Sequence, residues 1–317
     1  MTNRSIPLVS LSDFTGGDPT ARMAFVESLI QAFRDIGFVG VINHGIDPAL
    51  IRKFYEVSAA FFALPEEQKR QYEIPGLAGQ RGYTSFGREH AKHSEVPDLK
   101  EFFQFGQEVP DNHPDRAAYP DNVAVAEQAD FLPTAIALFR AFEAAGRQLL
   151  RAIALGLNLD EAYFETHVQY GNSILRSIYY PPITREPASA IRAEQHEDIN
   201  LITLLVGASA GGLEVLDHTE AWLPVVPQDD EIVINVGDML QRLTNNFLKS
   251  TTHRVVNPPR EEWHKPRLSI PFFLHPRSEM DLSCLPACVD EAHPLQYEPI
   301  TAGAYLDERL REIGLKK

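Results

Sequence analysis

His196 and Asp198, in the segment Gln195-His-Glu-Asp-Ile199, are the pair in this chain whose types and spacing best suit chelation of a metal ion. On an extended strand, residues two apart project to the same face, while Glu197 between them points away. His253, in Ser250-Thr-Thr-His-Arg, lies 55 residues after Asp198 at the start of another predicted strand and can supply a third ligand. Two imidazoles and a carboxylate on one face of an ion leave the opposite positions open, so a redox metal held this way can admit a cosubstrate and dioxygen. A buried hydrogen-bonded His–Asp pair would show the same spacing, so both readings stand on these residues alone. Arg267 and Ser269 form a second i, i+2 pair 14 residues beyond His253. A guanidinium fork beside a hydroxyl is a receptor for a carboxylate, and a solvent-facing Arg and Ser on an amphipathic strand is the plainer alternative.

Three other patterns compete for attention. Gly207-Ala-Ser-Ala-Gly211 matches a Gly-x-Ser-x-Gly nucleophile elbow, with Asp238 and His253 downstream in the order of an α/β-hydrolase triad. That elbow must lead from a strand into a helix, whereas here the loop runs into Gly212-Leu-Glu-Val-Leu216, another strand, so a Gly-rich hairpin is the better reading. Cys284 and Cys288, between His275 and His293, resemble a zinc site only superficially, because Pro286 and a polar loop separate them. His90 and His93 are flanked by Glu89, Lys92 and Glu95 and read as a solvated helix face.

The elements that must hold the candidate ligands follow from periodicity. Helical spacing is predicted from 21 to 38 with a stop at Gly37, then a strand over Phe38–Asn43 and helices over 48–64 and 66–72. Residues 74–98, with four glycines and no period, read as a long loop bordering the site. The longest helix is predicted over 124–157, with Pro133 marking a break. After about 172 the pattern changes to short apolar runs at 174–180, 200–206, 231–236, 254–257 and 267–274, which favours an antiparallel barrel or jelly roll over βαβ units. A helix over 301–313 closes the chain. The expected organisation is an N-terminal helical region, 1–123, and a 124–317 part with the long helix, the β core and the last helix, packed as one unit.

Composition removes other classes. With 44 acidic against 29 basic residues and a net charge of -15, the far field repels phosphate and anionic headgroups, so neither nucleic acid nor a membrane is the expected partner. Two cysteines are too few for a disulfide framework, no apolar run spans a bilayer and the first residues lack a signal-peptide core; a cytoplasmic protein is expected.

Beyond single pairs, the runs Phe38-Val-Gly-Val-Ile-Asn-His-Gly-Ile46, Tyr179-Tyr-Pro-Pro182, His196-Glu-Asp198, Gly211-Gly-Leu-Glu-Val215, Asn235-Val-Gly-Asp238, Leu243-Thr-Asn-Asn246, His253-Arg-Val255 and Arg267-Leu-Ser269 occur in one order. In this the chain resembles the isopenicillin N synthase-like, 2-oxoglutarate and Fe(II)-dependent oxygenases over almost its whole length. The resemblance implies a mainly β fold with flanking helices, a double-stranded β-helix or jelly roll plus an N-terminal helical region. It implies Fe(II) on His196, Asp198 and His253, and Arg267, Ser269 and Tyr180 around the distal carboxylate of 2-oxoglutarate. The implied reaction consumes O2 and 2-oxoglutarate, yields succinate and CO2, and hydroxylates, desaturates or cyclises a small-molecule substrate. His44 is not a ligand in this reading, since Asn43-His-Gly45 turns the chain out of a strand, and Ile178 replaces the Asn common in plant members. His196-Glu-Asp-Ile-Asn-Leu-Ile-Thr203 and Leu243–Asn246 also resemble isopenicillin N synthase itself, an oxidase that takes no 2-oxoglutarate. That enzyme's tail Gln near the iron has no counterpart beyond Gln296, so the 2-oxoglutarate enzyme is expected, with the oxidase and then a metal-binding, non-enzymatic jelly roll as alternatives. Arg81–Phe86, with Tyr83, and Lys100–Phe105, with Phe102, are the expected pocket walls.

Overall fold

Alternating apolar residues and well-placed caps produce twelve strands and eight helices in the computed structural model, which describes residues 6–77, 79–89, 98–187, 189–207, 209–228 and 230–312. In chain order these are β1 (Leu8–Ser10), α1 (Leu11–Thr15), α2 (Pro19–Asp35), β2 (Phe38–Ile42), α3 (Pro48–Phe62), α4 (Glu66–Arg70), β3 (Gly82–Thr84), β4 (Glu101–Gly106), α5 (Phe131–Gly156) and α6 (Glu165–Val168). They continue with β5 (Ile174–Tyr180), β6 (Ala193–His196), β7 (Ile202–Val206), β8 (Leu213–Leu216), β9 (Trp222–Pro224), β10 (Ile232–Val236), α7 (Asp238–Leu243), β11 (His253–Val255), β12 (Arg267–Leu274) and α8 (Ala302–Glu312).

The early helices start where the sequence sets them. Asp18 and Asp47 each accept a hydrogen bond from the backbone N–H two residues on, and each is followed by a proline at the first helical position. Gly37 ends α2 with φ 73°, where any Cβ would also meet the Lys249 carbonyl at 2.3 Å. The long helix begins at Phe131, seven residues later than its periodicity predicts. Pro133 lies in its first turn, where a missing N–H costs no hydrogen bond, so the expected break does not occur. The expected loop over 74–98 contains β3, and its histidines His90 and His93 lie outside the described residues.

Eight strands form one sheet in the order β1-β2-β10-β7-β12-β5-β4-β3, antiparallel throughout except for β1 beside β2. The other four form a sheet in the order β6-β11-β8-β9. The sheets pack face to face through two apolar clusters. One joins Phe38 and Val233 to Leu213 and Val215, the other joins Phe102, Ile178 and Tyr180 to Ala193 and Val255. The outer face of the large sheet carries the main core, where α5 lays Phe142 flat on Phe272 of β12 at 5.5 Å and Phe139 edge-on at 5.0 Å. Between the two inter-sheet clusters the sandwich is left open as a cavity lined from both sheets.

Candidate active site

A cavity of about 650 Å³ runs between the sheets and takes side chains from both. That size is ordinary for a small-molecule site. Three of its lining residues meet there. Ligand atoms of His196, Asp198 and His253 lie within 4.8 Å of one another, the one such group of His, Cys, Asp or Glu among the described residues. Antiparallel pairing of β6 with β11 sets His196 directly opposite His253, with ring centroids 4.5 Å apart, and His253 Nε2 is 3.8 Å from Asp198 Oδ1. The expectation that His196 and Asp198 share one strand needs correction. β6 ends at His196, and Asp198 lies in the following turn, where its carbonyl accepts from the Asp238 N–H at 2.7 Å.

Hydrogen bonds orient each of the three outward-facing atoms. The carbonyls of Glu194 and Thr251 can only accept, so the Nδ1 atoms of His196 (2.7 Å) and His253 (3.1 Å) carry the proton. Each Nε2 lone pair is thereby turned to the cavity. Asp198 Oδ2 accepts from Thr203 Oγ1 at 2.6 Å and Asn235 Nδ2 at 2.8 Å, which leaves Oδ1 free. Asn200 Nδ2 in turn donates to Thr203 Oγ1 at 3.1 Å. Burial alone would push the Asp198 carboxyl up, yet the His253 and His196 imidazoles and the two donors hold it below the usual range. Burial and the neighbouring His253 pull the His196 imidazole down. A divalent cation requires the carboxylate and both imidazoles without their second proton, and on binding it takes the place of that positive charge beside Asp198.

On the large sheet, β12 turns Arg267, Ser269, Pro271 and Phe273 into the cavity, and β5 turns Ile174, Arg176, Ile178 and Tyr180. Arg267 pairs with Tyr180 across the two strands, and its guanidinium stands 5.0 Å from the Tyr180 ring. Its Nε donates to the carbonyls of Ala210 and Gly211 at 3.1 and 3.2 Å, which fixes the plane of the fork. Arg267 is 2% exposed, its Nη1 has no partner, and no carboxylate forms an ion pair with it among the described residues. A buried guanidinium without an anion is costly, so an anion at this end of the cavity would be favoured. Arg192, equally buried and with its guanidinium 5.9 Å from the Tyr180 ring, adds a second positive charge at the same end.

Some expected features do not assemble. Ser209 lies between β7 and β8 with no helix after it, and its hydroxyl accepts from the Leu268 N–H at 2.9 Å. Asp238 instead accepts from the Tyr305 hydroxyl of α8. Cys284 and Cys288 are free thiols, and Cys284 faces the Arg242 carbonyl. His44 is buried and its Nδ1 accepts from the Ile46 N–H, with Asn43 and Gly45 in left-handed conformations that make the turn. Of the expected walls, Lys100 lines the cavity, while Phe102 lies behind the wall at 1% exposure. Tyr83 packs into the core against Phe61, and Phe86 is 49% exposed. Periodicity along β5 and β12 could have found Arg176 and Phe273, four residues from Tyr180 and Ser269 on the same faces. The roles of Asn235 and Glu89 depend on partners 37 and 87 residues away and leave no such signal, while Thr203 reaches Asp198 from five residues on across an irregular turn.

Two family models match: the "non-haem dioxygenase in morphine synthesis N-terminal" over residues 6–127 and the "2OG-Fe(II) oxygenase superfamily" over residues 171–276. The proline hydroxylase buaE of Petromyces alliaceus is 35% identical, covering 94% of this chain and 96% of its own. A crystal structure of a 2OG-Fe(II) oxygenase family protein from Caulobacter crescentus is similar at 45% identity and a TM-score of 0.87, covering 97% of this chain and 99% of that one. A full-length Neurospora crassa protein, solved in complex with alpha-KG and thymine, is similar at 32% identity and a TM-score of 0.84, covering 98% of this chain and 97% of that one.

Proposed function

The chain belongs to the 2OG-Fe(II) oxygenase superfamily and is a non-haem Fe(II) and 2-oxoglutarate-dependent dioxygenase acting on a small molecule, and from that premise we propose which residues do the work. Fe(II) is held by Nε2 of His196, Nε2 of His253 and Oδ1 of Asp198. The convergence of these three outward-facing atoms carries the reading. Arg267, Ser269 and Tyr180 hold the distal carboxylate of 2-oxoglutarate, supported by the unpartnered buried Nη1 of Arg267 and the presence of all three on one cavity wall. The β core is a double-stranded β-helix, and 1–123 packs with 124–317 as a single unit; one apolar core that draws on residues from Val9 to Ala302 supports this. The net charge of -15 argues against nucleic acid or an anionic membrane surface as partner, and two free thiols favour a cytoplasmic setting.

Bound iron and 2-oxoglutarate supply the oxidising power: one dioxygen is consumed, 2-oxoglutarate becomes succinate and CO2, and the substrate gains an oxygen or loses two hydrogens. The chain's own groups bind and orient. Glu194 and Thr251 hold the two imidazole tautomers, Thr203 and Asn235 fix the carboxylate, and the Arg267 fork sets the direction from which the keto-acid end reaches the metal. The inter-sheet clusters around Phe38 and Tyr180 keep bulk water from the reacting end.

The test is incubation with Fe(II), ascorbate and 2-oxoglutarate, first with thymine, since the Neurospora crassa structure holds it, and then with a metabolite extract. Mass spectrometry should find succinate and a product gaining one oxygen or losing two hydrogens, both absent with Asp198→Ala. Full activity of Asp198→Ala would overturn the residue assignment.

A further inference from the structure

Beyond the 2-oxoglutarate grip, the cavity has a second polar wall, built from three buried charges, Glu89, Asp98 and Lys100, and the half-buried Arg176. Lys100 Nζ lies 2.6 Å from Glu89 and 2.7 Å from Asp98. Arg176 Nη1 lies 3.2 Å from Glu89, and Arg176 Nε donates to Gln104 Oε1 at 2.7 Å. Its guanidinium rests against the rings of Phe102 at 4.2 Å and Phe273 at 5.2 Å. The second oxygen of Asp98 accepts from the Glu194 N–H, and the Gln104 amide donates to the Gly79 carbonyl. Arg176 Nη2 has no acceptor among the described residues, and the residue lines the cavity. The wall therefore has a donor to spare, while its acceptors are already engaged. Arg176 lies four residues from Tyr180 on the same strand face, roughly 13 Å along β5, so its open side is separate from the distal-carboxylate site.

Charge decides what that donor can take. Two carboxylates and two cations leave the wall neutral. Burial costs Glu89 part of its acidity, but Arg176 and Lys100 hold it well below the usual carboxylate range, so the balance persists at neutral pH. His275, farther along the same lining, adds no charge because burial pulls its imidazole down to about 4. At the iron end, on the reading above, the ferrous ion and Arg267 are met by Asp198 and the two carboxylates of 2-oxoglutarate, and the remaining cation, Arg192, is not part of the cavity lining and donates to the Lys265 carbonyl. An anionic substrate would bring an uncompensated charge into a low-dielectric cavity, whereas a neutral acceptor would not.

We propose that Arg176, braced by Glu89 and Gln104, is a specificity residue that selects a small uncharged substrate by its carbonyl oxygen, an amide, lactam or imide whose apolar body lies along Ile178 and Phe273. This rests on the oxygenase reading and adds to it the class of substrate. Glu89 and Gln104 act as positioning residues.

The experiment uses the full chain loaded with redox-inert Zn(II) and saturating 2-oxoglutarate, and measures binding of matched probes by saturation-transfer NMR: benzamide against benzoate, and thymine against orotate. The neutral member of each pair should bind at least about tenfold more tightly. Arg176→Met, which keeps the stem between the phenylalanine rings, should weaken the neutral probes about 10- to 100-fold, the loss of a charge-assisted hydrogen bond, with 2-oxoglutarate affinity unchanged. Glu89→Gln leaves the wall with one excess positive charge and should shift preference toward the carboxylates. If Arg176→Met fails to fold, Arg176→Lys and Glu89→Gln carry the test, since one keeps the charge balance and the other breaks it. Equal or tighter binding of the carboxylates to the native protein, no binding of the neutral probes at millimolar concentration, or a preference unmoved by Glu89→Gln would overturn the inference. Because 2-oxoglutarate binding is read in the same samples, its absence would instead count against the oxygenase reading.

Discussion

Thr203→Val and Asn235→Leu test how the carboxylate ligand is held. Asp198 Oδ2 has two donors, at 2.6 and 2.8 Å, both buried and both to a charged acceptor. Each such bond is worth about 1.5–3 kcal/mol, and loss of an outer-shell partner to a ligand lowers metal affinity about 10- to 100-fold. The two donors share one oxygen, so removing the first frees the carboxylate to turn and the double variant should lose less than the product of the single losses. The same donors help hold the Asp198 carboxyl below its usual range, so the acid limb of metal binding should move to higher pH in either variant. Competition between the protein and a fluorescent chelator for Co(II), from mildly acidic to neutral pH, reads both effects. Thr203→Val is close to isosteric, and a matching thermal midpoint would show that the fold is intact. Native metal affinity in both single variants, with an unmoved acid limb, would refute the proposed division of labour between the two carboxylate oxygens.

Arg267→Lys keeps the charge but loses the fork and its bonds to Ala210 and Gly211, so half-saturation by 2-oxoglutarate should rise about 10- to 100-fold in succinate-release assays while metal affinity stays native. His275 is buried with its imidazole lowered from 6.5 to about 4. Between those values the unfolded chain takes up a proton that the folded chain refuses. Its stabilisation is therefore complete above the unfolded value and is lost as pH falls toward 4, in all about 3 kcal/mol. In urea unfolding between pH 7 and 4, His275→Gln should flatten this limb relative to the native chain; parallel profiles would contradict it.

The convergence of the three candidate ligands was largely legible because short-range spacing carries it. His196 and Asp198 need only a strand end and its following turn, and His253 arrives opposite His196 by the register of β11 against β6. The strict alternation of β12 also placed Arg267 and Ser269 on one face. Periodicity failed where chain neighbours do not determine the partner. Tyr83 and Lys100 both belong to segments read as pocket walls, yet Tyr83 turns to Phe61 in the core and Lys100 to the cavity, a choice set by the packing of β3 and β4 on the helices. Glu89 lies in an aperiodic segment, and its ion pair with Arg176 joins positions 87 residues apart. The start of α5 was missed because residues 124–130 have apolar positions compatible with a helix but lead, without helical hydrogen bonding, into Pro133 in the first turn.

The central claim is that His196, Asp198 and His253 hold iron beside a cavity end where Arg267 receives 2-oxoglutarate. The most direct measurement is an anaerobic titration of 2-oxoglutarate into the Fe(II) protein, followed by visible absorption. The native chain should develop a saturable metal-to-ligand charge-transfer band, Arg267→Lys should require more 2-oxoglutarate to reach it, and Asp198→Ala should not form it. A native Fe(II) protein that shows no band at any 2-oxoglutarate concentration, or an Asp198→Ala variant that develops the native band, would contradict the account.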